Sequence, residues 1–456
     1  MITRHWLRGR VNRLTVMDSL QKQTLKPGLV NLPGATPAST ALVKTLLLKD
    51  IREHHCYFND EHFHNHLSHH ILALHDLADS VPPRKTCRGQ QDQREKLEQP
   101  PRRSQCPFLG VPGVLERYLF SPEANGNGTL MLARFVGGAV HGLIETGFGI
   151  EFGQDFLVAN GTQLSALTTP EGAVVMDMPS GVPEIKSGPP TTLLSLLREV
   201  YDSPKLAPIP FPKGRLGGQN FLTFMSSHPD GGATLREIYA KWTFDLTDTD
   251  FAKKVDECMW QATLLLGATS KAGRKPRMDF FLMHFVTGAL AIRVVLDAVK
   301  QPLHKAQLLQ VYARSAALFV IQRGRPRIDP ALVMSYPAYP APPQTKASTT
   351  VLGSPSYGSP WLALLNNAAV HPEPHVIKSI RMLFYCAQKY GGTPAGAVVG
   401  AVDEKGKETH SGAAMLDGTL FIRVAGVLDG RGGLGCSRGA DAVLGLPWSW
   451  LGGGLE

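Results

Sequence analysis

The stretch that decides the fold is Asp279-Phe-Phe-Leu-Met-His-Phe-Val-Thr-Gly-Ala-Leu-Ala-Ile292, an apolar run with one central histidine. A helix that is apolar all round belongs in a protein core or in a membrane. The run Phe280–Leu296 comes nearest to a membrane span, but His284 and Arg293 interrupt it, which predicts a core helix. A buried imidazole needs a partner for each ring nitrogen. The sequence therefore predicts polar partners for His284 inside the core.

Two further histidines stand alone in apolar helical patterns. His141 lies in Met131-Leu-Ala-Arg-Phe-Val-Gly-Gly-Ala-Val-His-Gly-Leu-Ile-Glu145, and His375 lies in His371-Pro-Glu-Pro-His-Val-Ile-Lys-Ser-Ile-Arg381. Each taken alone fits a core histidine that a carbonyl or hydroxyl satisfies. Together they favour one polar centre, because helical bundles build metal sites from facing helices. The prediction is a mainly α protein, a single large helical domain with a buried polar or metal centre and Pro/Gly-rich connections.

A histidine-rich segment supplies further candidate ligands. Eight of the 16 histidines lie between His54 and His75. Neutral imidazole is the commonest metal ligand among side chains that titrate near neutral pH. If the segment is helical, His62, His66 and His70 share one face at i, i+4 and i+8. A solvated polar face is the alternative interpretation of the same pattern.

Glycine and proline, 46 and 34 in number, mark the connecting segments. We predict a poorly ordered N-terminal arm (1–29), a helical domain (30–428) and a Gly-rich tail (429–456). Within the domain, 82–112 is predicted to be a basic linker and 337–360 a Pro/Ser-rich loop. A polar centre shared by His141, His284 and His375 would tie these distant helical segments into one domain.

The charge and the cysteine content limit which partners and which cellular location we expect. The net charge is +9, and the basic linker lacks interleaved aromatic residues or a known nucleic-acid motif. We expect neither a nucleic acid nor a membrane as partner. The six cysteines show no C-x-x-C pattern, which fits reduced thiols in a cytoplasmic protein. The arginines of Met1–Leu14 leave a mitochondrial location as the alternative.

A flavin is not expected. The one G-x-G-x-x-G match, Gly430-Arg-Gly-Gly-Leu-Gly435, lies close to the end of the chain. Too few residues follow it for the helix and acidic residue of a dinucleotide-binding βαβ unit.

Five blocks, in order, resemble the questin oxidase-like family. They are Asn65-His-Leu-Ser-His-His70, Leu132–Ile144 with Gly147–Gly153, Asp279–Thr287, Pro374–Arg381 and Met415–Arg423. The family includes AflY-type oxidoreductases of fungal polyketide and aflatoxin metabolism. The resemblance implies an O2-dependent oxidoreductase, of Baeyer-Villiger (monooxygenase) or dioxygenase type, that opens the ring of an anthraquinone-like substrate. The implied partners are a small aromatic polyketide and O2, with NADPH as a candidate electron donor.

The resemblance also implies a non-haem Fe(II) site with four histidines and a carboxylated lysine. Carried over by motif, these ligands are His66, His141, His284, His375 and Lys378. Imidazole alone does not select iron over copper, nickel or zinc. A carbamate on Lys378 would add one negative oxygen donor, and its formation requires that burial leave the amine neutral.

Residues around these ligands have predicted roles as well. Thr287 lies three residues after His284 on one helix face, and we expect it to act with Lys378 as a catalytic residue. Metal-bound imidazoles usually donate their second N–H to a carboxylate or carbonyl. Asp279, Glu145 and Glu151 are the candidates for that role.

Two alternatives remain open. His75-Asp76 matches the paired ligands of HD-type metal phosphohydrolases, although no partner set is apparent. A catalytically inactive relative with a scaffolding role is the second alternative, because 82–112 and the C-terminal tail depart from the family pattern.

Overall fold

A computed structural model describes residues 23–54, 56–57, 64–77, 106–208, 225–340, 359–371, 373–429 and 448–449. This part of the chain is mainly helical, as predicted. Its two short strands, β1 (Met278–Asp279) and β2 (Trp448–Ser449), pair in parallel. The N-terminal arm, the basic linker, the Pro/Ser-rich loop and the Gly-rich tail lie largely outside the described residues, as does the Gly430–Gly435 motif.

The helices follow one another in this order: α1 (Pro37–Glu53), α2 (Leu67–Asp76), α3 (Cys106–Leu115), α4 (Pro122–Asn125), α5 (Met131–Phe135), α6 (Gly137–Glu151), α7 (Asp155–Leu167), α8 (Leu193–Asp202), α9 (Gly231–Tyr239), α10 (Asp248–Gly267), α11 (Phe280–Ala298), α12 (Pro302–Gln322), α13 (Pro330–Ser335), α14 (Pro360–Ala369), α15 (Pro374–Tyr390) and α16 (Leu420–Leu428). A π-helical turn spans Glu116–Phe120, and 3₁₀ turns span Glu171–Val175, Pro204–Leu206 and Ala413–Met415.

Helix α11 lies at the centre of the bundle. It packs against α6, α10, α12 and α15, and most of its side chains are buried. Asp279 caps its first turn, since its carboxylate accepts from the backbone N–H groups of Phe281 and Leu282 at 2.9 and 3.0 Å. In the described part of the chain, α11 alone is long and apolar enough to cross a membrane, but it is mostly buried. The prediction that this segment forms a core helix is therefore confirmed.

Glycines bring α6, α7 and α11 unusually close together. A Cβ atom on Gly147 would lie 2.6 Å from the Cβ of Ala291 in α11. A Cβ atom on Gly161 of α7 would lie 2.8 Å from the carbonyl oxygen of Gly142 in α6. Ordinary carbon contacts are about 3.5–4 Å, so only glycine permits this approach. The close packing places the histidine of α6 beside that of α11.

One buried arginine joins three helices. Arg381 of α15 donates from Nε to the Asp76 carboxylate of α2 at 2.6 Å, and its Nη2 contacts the Glu151 carboxylate of α6. Asp76 also accepts from the backbone N–H of Asn31 at 2.9 Å. This network fixes the relative positions of the three helices that, with α11, carry or adjoin the histidines described below.

Candidate metal centre

Four histidines from distant parts of the chain converge in the core. They are His66 directly before α2, His141 near the start of α6, His284 in α11 and His375 near the start of α15. Each offers a ring nitrogen, and these atoms all lie within 4.8 Å of one another. All four side chains are buried. The structure thus brings together the four histidines that the sequence blocks indicated.

The nitrogen positions fit the coordination of a single ion. Nε2 of His66 and Nε2 of His141 are 3.0 Å apart. Imidazole nitrogens bind about 2.1 Å from a divalent ion, so two ligands at right angles are about 3 Å apart. Nε2 of His284 and Nε2 of His375 have no hydrogen-bond partner among the described residues. Buried polar atoms without partners are rare, and here they belong to a donor set that an ion would satisfy.

In three of the four histidines, the second ring nitrogen, Nδ1, contacts an oxygen atom of the protein. Nδ1 of His141 is 2.5 Å from the carbonyl oxygen of Gly138, and Nδ1 of His284 is 2.8 Å from that of Phe280. Nδ1 of His375 contacts the carboxylate of Glu373. Donation from Nδ1 leaves the lone pair of Nε2 free for an ion. Sequence analysis missed Glu373, although its position two residues before His375 was a usable signal.

The three carboxylates predicted to orient the ligands have other partners, so that prediction was wrong. Asp279 pairs with buried Arg323 at 2.7 Å, and Glu151 contacts Arg381. Glu145 contacts His69, which is not one of the four histidines. Asp279 and Glu151 compensate buried arginines, because a buried charge without a partner is costly.

A left-handed turn sets the position of His141. Gly138, Ala139 and Val140 have φ angles of 52°, 54° and 57°. This conformation costs an L-residue about 1–2 kcal/mol, and it is rare for a β-branched side chain. The turn brings the Gly138 carbonyl to the imidazole of His141. The helical pattern predicted over 131–145 is therefore interrupted: α5 ends at Phe135, and regular helix resumes only after Val140.

The histidine-rich segment differs from the single helical face predicted for it. Helix α2 begins at Leu67, and His66 precedes it in a non-helical conformation. Asn65 fixes this junction, since its side chain accepts from Leu67 N at 3.0 Å and donates to the Asp50 carboxylate at 2.8 Å. His62 lies outside the described residues. His66 and His70 therefore do not belong to one continuous helical face.

His64, which sequence analysis did not single out, packs against the centre. Its ring stacks on that of His141, with centroids 3.8 Å apart and planes 12° apart. Phe280 lies beside the rings of His284 and His375, with centroids 4.8 and 4.9 Å away. These rings cover two sides of the histidine cluster.

Lys378 is buried one helical turn after His375. Its side chain is 2% exposed, and Nζ has no hydrogen-bond partner among the described residues. Burial lowers the pKa of Lys378 to about 7, against the opposing effect of the Glu373 and Glu145 carboxylates. A substantial fraction of the amine is therefore neutral near pH 7, which is the form that can become a carbamate.

Burial also keeps the imidazoles neutral. It lowers the pKa of His66, His141, His284 and His375 well below the usual value, and the nearby charge of Lys378 acts in the same direction. Neutral imidazole is the form that binds metals. No proton has to be removed from these four side chains at pH 7 before an ion binds.

Thr287 lies one turn along α11 from His284. Its side chain is buried, and Oγ1 has no partner among the described residues. No acceptor among the described residues competes for this hydroxyl donor. Its role as a catalytic residue stays a prediction.

The His75-Asp76 pair does not form a second centre in the described chain. Asp76 is fully buried and accepts hydrogen bonds from Arg381, Val30 N and Asn31 N. His75 occupies the last turn of α2 and is partly exposed. The carboxylate that a phosphohydrolase would place on its metal here compensates an arginine, so the phosphohydrolase alternative is not favoured.

Comparison with known proteins defines the family. A sequence model described as questin oxidase-like matches residues 102–383. This range covers more than half of the chain and contains His141, His284, His375 and Lys378, whereas His66 precedes it. The chain belongs to the questin oxidase-like family.

Named relatives share low sequence identity with the chain over most of their length. A questin oxidase from Aspergillus terreus is 26% identical over 388 residues, which cover 77% of this chain and 80% of the relative. The Baeyer-Villiger oxidase AgnL3 from Paecilomyces divaricatus is 26% identical, covering 62% and 69%. The oxidoreductase AflY from Aspergillus parasiticus is 22% identical, covering 79% and 75%. These relatives are named as oxidases or oxidoreductases.

Proposed function

We propose that this protein is an oxidoreductase of fungal secondary metabolism that opens the ring of an anthraquinone-like polyketide with O2 at a non-haem Fe(II) centre. The observation that carries the proposal is the convergence of four buried imidazoles within 4.8 Å. The names of the relatives support oxidase chemistry. The proposed reaction class includes both monooxygenase (Baeyer-Villiger) and dioxygenase chemistry.

The proposed ligands are His66, His141, His284, His375 and a carbamate on Lys378. Four neutral imidazoles leave the charge of a divalent ion uncompensated, and the carbamate would contribute one negative oxygen. Carbamate formation joins the neutral Lys378 amine to CO2 with release of one proton. When bound, Fe(II) would supply the activation of O2, which the side chains of this site do not provide by themselves.

The surrounding side chains have separate tasks in this proposal. Phe280, beside two of the rings, excludes water and offers an aromatic face to a flat substrate. Thr287, one helical turn after His284, would donate a hydrogen bond from its hydroxyl to O2 or to a ligand of the centre. NADPH, if it takes part, serves as an external electron donor rather than as a resident group.

The experiment is O2 uptake with questin and related hydroxyanthraquinones as substrates, with product analysis by mass spectrometry. We expect substrate-dependent uptake and a product that has gained oxygen. His284→Ala and Lys378→Ala should each lower the iron content and abolish turnover. His75→Asn is the matched control, since His75 lies outside the histidine cluster. Full activity in His284→Ala or Lys378→Ala contradicts the assignment of the site.

A further inference from the structure

We infer that Glu373 is a positioning residue of the metal centre: it orients His375 and strengthens its Nε2 as a donor. This inference rests on the proposed function, because it assigns a task to a residue that contacts a proposed ligand. The carboxylate of Glu373 does not belong to the group of possible ligand atoms that the four histidines form.

The local geometry binds Glu373 to His375 in two ways. Its Oε1 atom accepts from the backbone N–H of His375 at 3.1 Å and also contacts Nδ1 of the same residue. Pro374 lies between them at the first position of α15, where its ring fixes φ. The backbone N–H of Glu373 in turn donates to Nδ1 of His371 at 3.0 Å. The carboxylate is therefore held directly behind the imidazole.

Glu373 differs from the groups that hold the other histidines. Neutral backbone carbonyls, those of Gly138 and Phe280, lie behind His141 and His284. His375 has a carboxylate in that position. A carboxylate partner fixes the imidazole tautomer and raises the basicity of the ligating nitrogen, and its loss typically costs about 10- to 100-fold in metal affinity. Among these three contacts, only the one made by Glu373 can be removed by a side-chain substitution.

A purely structural role is the competing explanation, since Glu373 also caps α15. Two substitutions separate the roles. Glu373→Ser keeps a favourable helix-capping residue, but serine is too short to hold Nδ1 as the carboxylate does. Glu373→Gln keeps the length and the accepting oxygen and removes the charge. Thr247→Ala is the matched control, because Thr247 caps α10 through its side chain and belongs to a helix that contributes no proposed ligand.

The experiment titrates metal-free protein with Co(II) against a competing chelator, and records visible absorption and the melting temperature of the metal-free form. We expect Glu373→Ser to bind Co(II) about 10- to 100-fold more weakly than wild type, with an altered spectrum and a melting temperature near that of wild type. Glu373→Gln should weaken binding in the same direction. Thr247→Ala should melt earlier but bind Co(II) normally.

Co(II) binding by Glu373→Ser and Glu373→Gln with wild-type affinity and spectrum would overturn the inference and leave the proposed centre intact. If Glu373→Ser fails to fold, the comparison of Glu373→Gln with wild type decides the question alone. Absence of Co(II) binding in the wild-type protein is a different result, because it contradicts the proposed metal centre itself.

Discussion

At the scale of single residues, burial decides which side chains carry charge. The four clustered histidines and Lys378 are almost inaccessible to water, and their pKa values fall because the charged forms lose hydration. The same effect acts on His410, which is not part of the histidine cluster. His410 is 4% exposed, its ring packs against Tyr201, and burial together with the charges of Arg198 and Arg327 lowers its pKa to about 4.

His410 should make the metal-free protein less stable in acid. The unfolded chain takes up a proton at this residue near pH 6.5, whereas the folded chain does so only near pH 4. The unfolded state therefore binds more protons in this window, and the free energy of unfolding decreases as pH falls from about 6.5 to 4. His410→Gln should lose less stability between pH 7 and pH 4.5 in urea unfolding. Parallel losses in wild type and variant would contradict the assignment.

The four clustered histidines were identified through the family resemblance of their sequence blocks, and the structure places their ring nitrogens within 4.8 Å of one another. The groups that orient their rings were not predicted correctly. The carboxylates of Asp279 and Glu151 are evident in the sequence, but their arginine partners are not. Asp279 pairs with an arginine 44 residues away, and Glu151 pairs with one 230 residues away. Glu373 was the exception, because its position two residues before His375 was a usable signal, although its contact with Nδ1 also depends on the backbone at the start of α15.

At the scale of elements, glycine allows α6 and α11 to approach closely enough for their histidines to meet. A Cβ atom added to Gly147 would meet both the side chain and the backbone of Ala291 across this interface. A larger residue would push the helices apart and move His141 away from His284. Helix separation thus controls both packing energy and the geometry of the centre.

Gly147→Ala should destabilise the protein by about 1–3 kcal/mol, the usual cost of adding volume to a packed core. The added Cβ would lie 2.6 Å from the Cβ of Ala291. Gly392→Ala is the control, since a Cβ there would have no atom within 4 Å. Urea unfolding measures both. Equal stability of the two variants would show that the close approach of α6 and α11 is not as described.

At the left-handed turn before His141, the expected effect on stability has the opposite sign, because glycine suits this backbone conformation better than alanine does. Ala139→Gly should be neutral or stabilising by up to about 1 kcal/mol, because glycine adopts positive φ without the penalty that alanine carries. The same exchange at Ala262, inside regular helix α10, should cost about 1 kcal/mol. Thermal unfolding of the metal-free variants distinguishes them. A loss at Ala139 equal to that at Ala262 would argue against the strained turn.

Sequence patterns predicted the existence of these helices better than their ends. The pattern over 131–145 gave no sign that three residues adopt a left-handed turn, although Gly137 and Gly138 made an interruption possible. The helix around His66 begins one residue after that histidine, because Asn65 bonds to Leu67 and Asp50. Such breaks depend on tertiary contacts that periodicity does not encode.

At the scale of the whole molecule, buried charge ties remote segments into one unit. Arg381 is 1% exposed and binds the carboxylates of Asp76 and Glu151. These residues come from α15, α2 and α6, which also place His375, His66 and His141. The same network therefore supports the fold and aligns the helices around the centre.

Arg381→Met should destabilise the protein by about 3–5 kcal/mol, since it leaves two buried carboxylates without their partner. Arg198→Met is the control, because the pair of Arg198 with Asp202 is about half exposed and contributes at most about 1 kcal/mol. Chemical denaturation at pH 7 compares the two. A loss for Arg381→Met no larger than that for Arg198→Met would contradict a structural role for the network.

The mainly α architecture could be predicted because long apolar helical runs leave few other arrangements for a chain of this size. The order of helix contacts could not, because it depends on pairs such as Arg381 and Asp76, which are separated by 305 residues. The core role of α11 followed from its composition alone. Its neighbours α6 and α15 were indicated only through the shared histidines.

The most direct test of the metal centre is elemental analysis of protein purified without oxygen. We expect about one iron per chain in wild type, its loss in His284→Ala, and its retention in His410→Gln, which changes a buried histidine elsewhere. A wild-type protein that holds no metal, or a His284→Ala variant that holds as much iron as wild type, would contradict an iron centre at these histidines.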